Sequence, residues 1–413
     1  MKHYILLSVI TGAGGVQCYV ASKAKYLEEK GWHVVVISGN DPATKETCRI
    51  DYLNKYLKNG SPYLGQHACY LPAFTRKKAL KRFLKVIGHV SEGDEAIIES
   101  WDSPTAIWGE LIASRIHGRH IFWTANEHFR KYGEDINMCY EEKIDFYKFK
   151  MDRGEIFTTV TIANRLFDGY RTYKDGDFRE VFITEDPIQE IDNEVINSLD
   201  KKDWNICYLG RSNKPYVPKI FEGIGIFANQ HPNKEIQFVV VGEVIANKES
   251  LQSLRKIDNL KIVELGDVFP LPRSLYRKID VVIAGAGSAR HSADEGALVI
   301  TADSWNLNSH GLLGYDTNDS TYKNNDLREE ALDLTFEEAL ERTFVGENWR
   351  NQENKWVKNK GIQECTENQF EIIKNANSVL EYYNEKKLLE GRVDYILPLR
   401  MLHGKIRRRL NRK

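Results

Sequence analysis

The chain is poor in anything that would fasten it covalently or build it around a metal. Its six cysteines, Cys18, Cys48, Cys69, Cys139, Cys207 and Cys365, are scattered, with no C-x-x-C pair. That spacing suggests neither a zinc site nor a disulfide framework, and a reducing cytoplasm suits it. Charge of one sign is also missing. The 58 Lys and Arg nearly balance 59 Asp and Glu, for a net charge of -1, so no global field points to nucleic acid. There is no long hydrophobic run. The apolar stretch near the N-terminus is brief and meets glycines at Gly12, Gly14 and Gly15, which reads as a first strand rather than a signal peptide. No segment is long enough to span a bilayer. Repeat arrays and low-complexity tracts are absent too. What remains is ordinary globular composition, 42% hydrophobic and 28% charged over 413 residues, enough for two domains.

Strand-like and helix-like segments alternate twice. In the first half, strands are expected over 4–9, 33–38, 95–101, 120–125, 156–162 and 180–184. A helix carries Val20, Ala24 and Leu27, and a second covers 104–117. A polar segment at 193–203 is the expected boundary. The grammar then restarts, with strands at 204–209, 236–241, 261–265 and 280–284 and helices at 218–231, 248–257 and 272–278. Such alternation implies parallel sheets. The expected fold class is α/β, two doubly wound Rossmann-like domains facing a cleft. The domains span 1–197 and 204–363. A long helix, 364–389, crosses back to the first domain, and a tail covers 390–413.

The most informative stretch is 283–301, IAGAGSARHSADEGALVIT. An apolar strand meets a glycine turn, Gly285 and Gly287, and then a short polar helix. A helix N-terminus behind a glycine turn is an anion site, because free N–H groups and the helix dipole face the charge. Ser288 suits the N-cap. His291 and Glu295 share a helix face with Ser288 and Ser292, and that face suits a sugar or ribose. A plain strand–helix crossover fits the same residues.

Other candidates also follow strands, where open parallel sheets bind ligands. Gly14, Gly15 and Gln17 lie in a glycine-rich loop before the first helix. It departs at Gln17 from the G-x-G-x-x-G dinucleotide fingerprint. Gly210, Arg211 and Lys214 follow the first strand of the second half; Arg offers a planar fork and Lys a point charge for a diphosphate. Asp102, and His128 beside Glu127, follow first-half strands as a base or an orienting pair. The tail from 397 to 413 is basic and acid-free, with Leu399, Leu402, Ile406 and Leu410 at helical spacing. Such a helix reads as an element docked on an anionic membrane.

Taken together, these residues resemble the retaining glycosyltransferases of family 4, which have the GT-B fold. Gly14-Gly15-Val16-Gln17 looks like that family's G-G-x-[EQ] loop, and Tyr208-Leu-Gly-Arg211 like its strand-Gly-Arg element. Val239-Val-Val-Gly-Glu243 resembles its third motif. The run Leu265-Gly-Asp-Val268, Leu275-Tyr276 and Ile279-Asp280-Val281 resembles the fourth, and 288–300 its nucleotide helix. The chain departs from the family's pair of glutamates separated by seven residues. With the second glutamate at His291 the first falls on Ile283; with it at Glu295 the first falls on Gly287.

The resemblance implies sugar transfer, with retention, from a nucleotide-diphosphate donor (a UDP- or GDP-sugar) to a glycan or lipid-linked acceptor, in cell-surface polysaccharide synthesis. Arg211, Lys214, Gly287 and Ser288 then hold the diphosphate. Glu295 or His291 holds ribose or sugar, and Gly14, Gly15 and Gln17 serve the acceptor side. No metal and no tightly bound cofactor are expected. The location is cytoplasmic, peripheral at the inner face of the plasma membrane if the tail docks there. Two other classes fit the same residues: a non-catalytic GT-B partner or sugar-binding subunit, and a GT-B sugar-nucleotide epimerase using Glu127, His128 and His291.

Overall fold

The computed structural model describes residues 1–8, 15–39, 51–124, 131–132, 135–136, 138–158, 160–167, 188–190, 193–242, 247–266, 268, 270–304, 306–318, 332–346, 349–358, 361–375, 379–401 and 403. The chain forms two compact units, Met1–Glu185 with Lys360–Lys413, and Asp186–Asn359.

The first unit begins β1 (Lys2–Ser8), α1 (Gly15–Glu29), β2 (His33–Ser38), β3 (Leu57–Asn59), α2 (Ala73–Ile87), β4 (Glu95–Ser100), α3 (Ser103–Ile116) and β5 (Arg119–Trp123). A small hairpin, β6 (Lys131–Tyr132) and β7 (Asp135–Ile136), leads to α4 (Met138–Glu142), α5 (Ile144–Asp152), β8 (Ile156–Phe157) and α6 (Val160–Leu166). Six strands form one parallel sheet in the order β3-β2-β1-β4-β5-β8. The strand expected over 156–162 is therefore two residues long and then turns helical. Val160-Thr-Ile162 is β-branched, which favours a strand. Burial of Ile162, Ala163, Leu166 and Phe167 follows helical spacing instead, so packing overrides propensity. The strand expected at 180–184 lies outside the described residues.

The second unit contains β9 (Ile188–Gln189), α7 (Glu194–Asn197), β10 (Trp204–Leu209), α8 (Val217–Gln230), β11 (Ile236–Val241), α9 (Lys248–Leu254), β12 (Leu260–Gly266), β13 (Leu271–Pro272), α10 (Ser274–Lys278), β14 (Val281–Ala284), α11 (Ala286–Asp294), β15 (Val299–Thr301) and α12 (Phe336–Phe344). Its parallel sheet runs β12-β11-β10-β14-β15. Side chains alternate across it. Ile206 and Tyr208 face a core shared with α8, α9 and α12. Cys207 and Leu209 face a second core with α10 and α11. The expected doubly wound α/β class is thus observed. Residues 193–203, expected as the domain boundary, hold α7 capped by Asn193, and Ile196 and Leu199 lie in the second core.

The chain then supplies α13 (Ile362–Asn375) and α14 (Glu385–Leu388) to the first unit. The single helix expected over 364–389 is thus broken. Backbone groups that would have continued it bind first-unit side chains: Arg153 donates to the Val379 carbonyl at 2.6 Å and Tyr383 N–H to Glu110 at 2.8 Å. α13 is anchored through a buried cluster. Lys23 Nζ lies 2.6 Å from Glu99 and also bonds Gln369 of α13, and Tyr4 donates to Glu99. Burial pushes Lys23 down against the pull of Glu99. A buried pair of this kind is weak evidence for stability, but losing either partner would strand a charge.

Candidate functional site

Strand order in the second sheet reverses between β10 and β14. That switch point is where open α/β sheets form a ligand crevice at the carboxyl ends of their strands. Four strands end there on glycine: Gly210 after β10, Gly242 after β11, Gly266 closing β12 and Gly285 after β14. Two of these glycines are required by close backbone approach. Gly242 has φ +126°, and a Cβ there would run into the Gly210 carbonyl oxygen. A Cβ at Gly285 would stand 2.5 Å from the Ala302 carbonyl oxygen and 3.3 Å from the Tyr216 hydroxyl. The edge is therefore lined by bare backbone, and the loop after β10 comes down beside the turn after β14.

That loop has a fixed shape. The Tyr208 hydroxyl donates to the Arg211 carbonyl at 2.9 Å, and the Lys214 N–H donates to the same carbonyl at 3.2 Å. Asn247 donates to the Ser212 carbonyl at 2.6 Å. Burial, with the neighbouring Tyr216, raises Tyr208 well above the usual phenol range, so it stays a neutral donor. Arg211 is exposed and has no ion pair among the described residues, while Lys214 is half-buried.

α11 starts on the facing side. Its N-cap is Gly285, in extended conformation and without a side-chain cap. The expected cap Ser288 instead sits within the first turn, because the helix begins three residues earlier than its polar run suggested. The first N–H groups of a helix lack intrahelical partners. Among the described residues they also lack a capping side chain and any acidic residue in the first turn, so neither offsets the positive end of the dipole. Ala286 sits at φ +52°, a left-handed conformation unusual for a residue other than glycine. Beyond it, the Cβ position of Gly287 faces open space.

The rest of the helix is less available than its sequence suggests. Ser292 is fully buried; its hydroxyl donates to the Ser288 carbonyl at 2.8 Å and lies 3.3 Å from the Tyr276 hydroxyl. It cannot join a sugar-binding face. His291 is buried. Glu295 forms the C-cap, and Arg273 takes both its oxygens, at 2.6 and 3.1 Å. It lies seven positions after Ser288, about 10 Å along a helix.

In the first unit, Asp102 caps α3. Its carboxylate accepts from the Thr105 N–H at 2.8 Å and the Thr105 hydroxyl at 2.7 Å. Burial raises its pKa and the Thr105 bonds oppose the rise. Gln17 is buried in α1, which begins at Gly15. Gly14, Glu127, His128, Glu243, Leu402, Ile406 and Leu410 lie outside the described residues. Two second-unit features were missed from sequence. Tyr216 walls the glycine turn. Asp303, just past Ala302, accepts from buried His310 at 2.7 Å, and His310 Nδ1 lies 3.0 Å from the Leu332 carbonyl. This bond fixes the loop behind Gly285. Asp303 and His310 are seven apart in an irregular segment, so no periodicity exposed them. No group of three or more metal-ligating side chains occurs among the described residues.

No family model matches the chain, and no curated protein does. Solved structures do match in fold. Sucrose-phosphate synthase from Thermosynechococcus elongatus is 14% identical, over 98% of this chain and 99% of that one, with a TM-score of 0.53. A glycosyltransferase from Rickettsia africae is 15% identical, over 94% and 96%, with a TM-score of 0.50. UDP-GlcNAc 2-epimerase from Neisseria meningitidis, bound to UDP-GlcNAc, is 12% identical, over 91% and 100%, with a TM-score of 0.47. The two parallel-sheet Rossmann-like units give this chain a fold of the GT-B type.

Proposed function

We propose that this protein transfers a sugar, with retention, from a nucleotide-diphosphate donor to a glycan or lipid-linked acceptor. The observation that carries the reading is the start of α11, without a capping side chain or a first-turn acid, on the glycine-lined sheet edge that also carries the loop of Arg211, which is exposed and has no ion pair among the described residues. Both are complementary to a diphosphate. When the bond from the anomeric carbon to the donor phosphate oxygen breaks, negative charge develops on the departing diphosphate. Arg211, Lys214 and the α11 N–H groups would stabilise it there by preorganised electrostatics. His291, one turn into α11, is assigned to the donor's ribose or sugar, and Gly14, Gly15 and Gln17 to the acceptor side. The fold likeness to sugar-transferring proteins supports the class by analogy only.

The test is calorimetry with UDP and GDP, followed by product analysis with the corresponding sugar nucleotides. Selective nucleotide binding and a glycoside product support the reading. Binding of neither nucleotide overturns it. A second reading, binding without turnover, draws on Glu295. With both oxygens held by Arg273, it is not free to replace the missing glutamate pair. Tight nucleotide binding with no glycoside formed would select that reading, and an epimerised free sugar nucleotide would select the epimerase.

A further inference from the structure

The first unit carries a helix whose exposed side is cationic from Lys77 to Lys85. α2 contains Arg76, Lys77, Lys78, Lys81, Arg82 and Lys85 and no acidic residue. Its apolar side is used up inside: Ala79, Phe83 and Ile87 are buried, and Phe83 packs edge-on against Trp108 of α3. Lys77, Lys78, Lys81, Arg82 and Lys85 are exposed, and none has an ion pair among the described residues. Lys77, Lys81 and Lys85 repeat every four residues, as do Lys78 and Arg82. Like charges at that spacing destabilise a helix. The arrangement costs stability in the isolated chain and becomes favourable against an anionic surface.

A second observation lies at the start of the same helix. Phe74, in its first turn, is 80% exposed. The turn just before α2 receives the C-terminal segment: Asp394 N–H donates to the Tyr70 carbonyl at 2.8 Å, and Gly391 abuts Cys69 and Tyr70. This docking brings up Tyr395, Ile396 and Leu399, which are 75%, 60% and 65% exposed. Asp394 spends its own charge on Arg400 and its other oxygen on the N–H groups of Ile396 and Leu397. Large apolar side chains thus flank the end of a cationic helix that has no ion pair among the described residues.

We infer that α2 and residues 391–399 form a docking surface for an anionic lipid bilayer. Cations would lie over lipid phosphates while Phe74, Tyr395, Ile396 and Leu399 enter the boundary between headgroups and acyl chains. Exposed apolar side chains beside the cations favour a bilayer over a nucleic acid. The surface requires none of the residues beyond 403, and it does not depend on the sugar-transfer reading.

The test uses the full chain with vesicles of phosphatidylcholine alone and of phosphatidylcholine mixed with phosphatidylglycerol, at low and high salt. The wild type is expected to sediment with anionic vesicles only, and less at high salt. Each basic residue near such a surface strengthens binding about fivefold, so Lys77→Gln/Lys81→Gln/Lys85→Gln is expected to weaken it about 100-fold. A Phe74→Ser/Leu399→Ser variant tests the apolar part and is expected to weaken binding with its salt dependence retained. Unchanged melting curves establish that both variants fold. Equal sedimentation of wild type and triple variant, sedimentation with neutral vesicles alone, or retention by a DNA fragment without vesicle binding would overturn the inference.

Discussion

Gly287→Ala separates a ligand-contacting glycine from a structural one. Gly287 lies in the first turn of α11, outside the left-handed region, and an added Cβ meets no atom within 4 Å. Folding therefore has nothing to lose. Alanine is the better helix former by up to about 1 kcal/mol, which in a unit of this size corresponds to a rise of about 2–4 °C in melting temperature. Binding is expected to move the other way. A diphosphate at the start of α11 needs the backbone N–H groups within hydrogen-bonding distance, and a methyl group at 287 stands in that space. Loss of one hydrogen bond to a charged group is worth about 1.5–3 kcal/mol, or about 10- to 150-fold in affinity. Calorimetric titration of UDP and GDP, paired with scanning calorimetry of the free protein, reads both signs. Gly242→Ala is the contrast, because its methyl would meet the Gly210 carbonyl and should lower stability and binding together. Wild-type affinity in Gly287→Ala would mean that no anion approaches this turn.

Arg211→Ala is expected to weaken nucleotide binding by about 1.5–3 kcal/mol, and Lys214→Ala by less because Lys214 is half-buried with contacts of its own; unchanged calorimetric affinity in Arg211→Ala would remove that side chain from the site. Glu295→Gln should leave nucleotide affinity within about twofold and cost at most about 1 kcal/mol of stability, since Arg273 is substantially exposed; a tenfold or larger loss of affinity would assign Glu295 to the donor. Stability should fall in acid. Burial holds His67 down at about 4, so the unfolded chain takes up this proton first and stability drops as pH falls from about 6.5 towards 4, by about 1–3 kcal/mol. Burial pushes Glu110 up, but Lys150 and hydrogen bonds from His120 and Tyr383 outweigh it and bring it to about 2, which continues the loss below about pH 4.5. Urea midpoints at pH 7 and 5 check this, and His67→Gln should narrow the gap between them.

The fold was legible where period and punctuation agree. The 204–209 strand, the helix expected over 218–231 and the 236–241 strand appear within a residue or so of expectation, because each is an uninterrupted apolar or amphipathic run bounded by polar residues. Legibility failed where long-range partners decide. Val160-Thr-Ile162 reads as strand until Ile162, Ala163 and Leu166 are seen to share a buried face. Residues 379–383 read as helix until Arg153 and Glu110, far away in sequence, claim their backbone groups.

For the site, the gap between composition and geometry is wider. The motif 285–288 was visible because glycine turns leave a sequence trace. Its consequence was misassigned: Ser288 has the chemistry of an N-cap, yet the helix starts at Ala286 and leaves its first N–H groups to whatever approaches the edge. Helical spacing alone puts Ser292, His291 and Glu295 on one face. Spacing fixes which residues share a side but not whether that side meets solvent or core. Here burial takes Ser292 and most of His291, and Arg273, twenty-two residues earlier, takes Glu295. Among the described residues the switch point offers backbone groups, the Tyr216 hydroxyl and the loop that carries Arg211 and Lys214. Such groups suit charge better than sugar stereochemistry, so under the proposed reading this edge would hold the diphosphate, and the choice of sugar would fall to His291 and to residues beyond the edge.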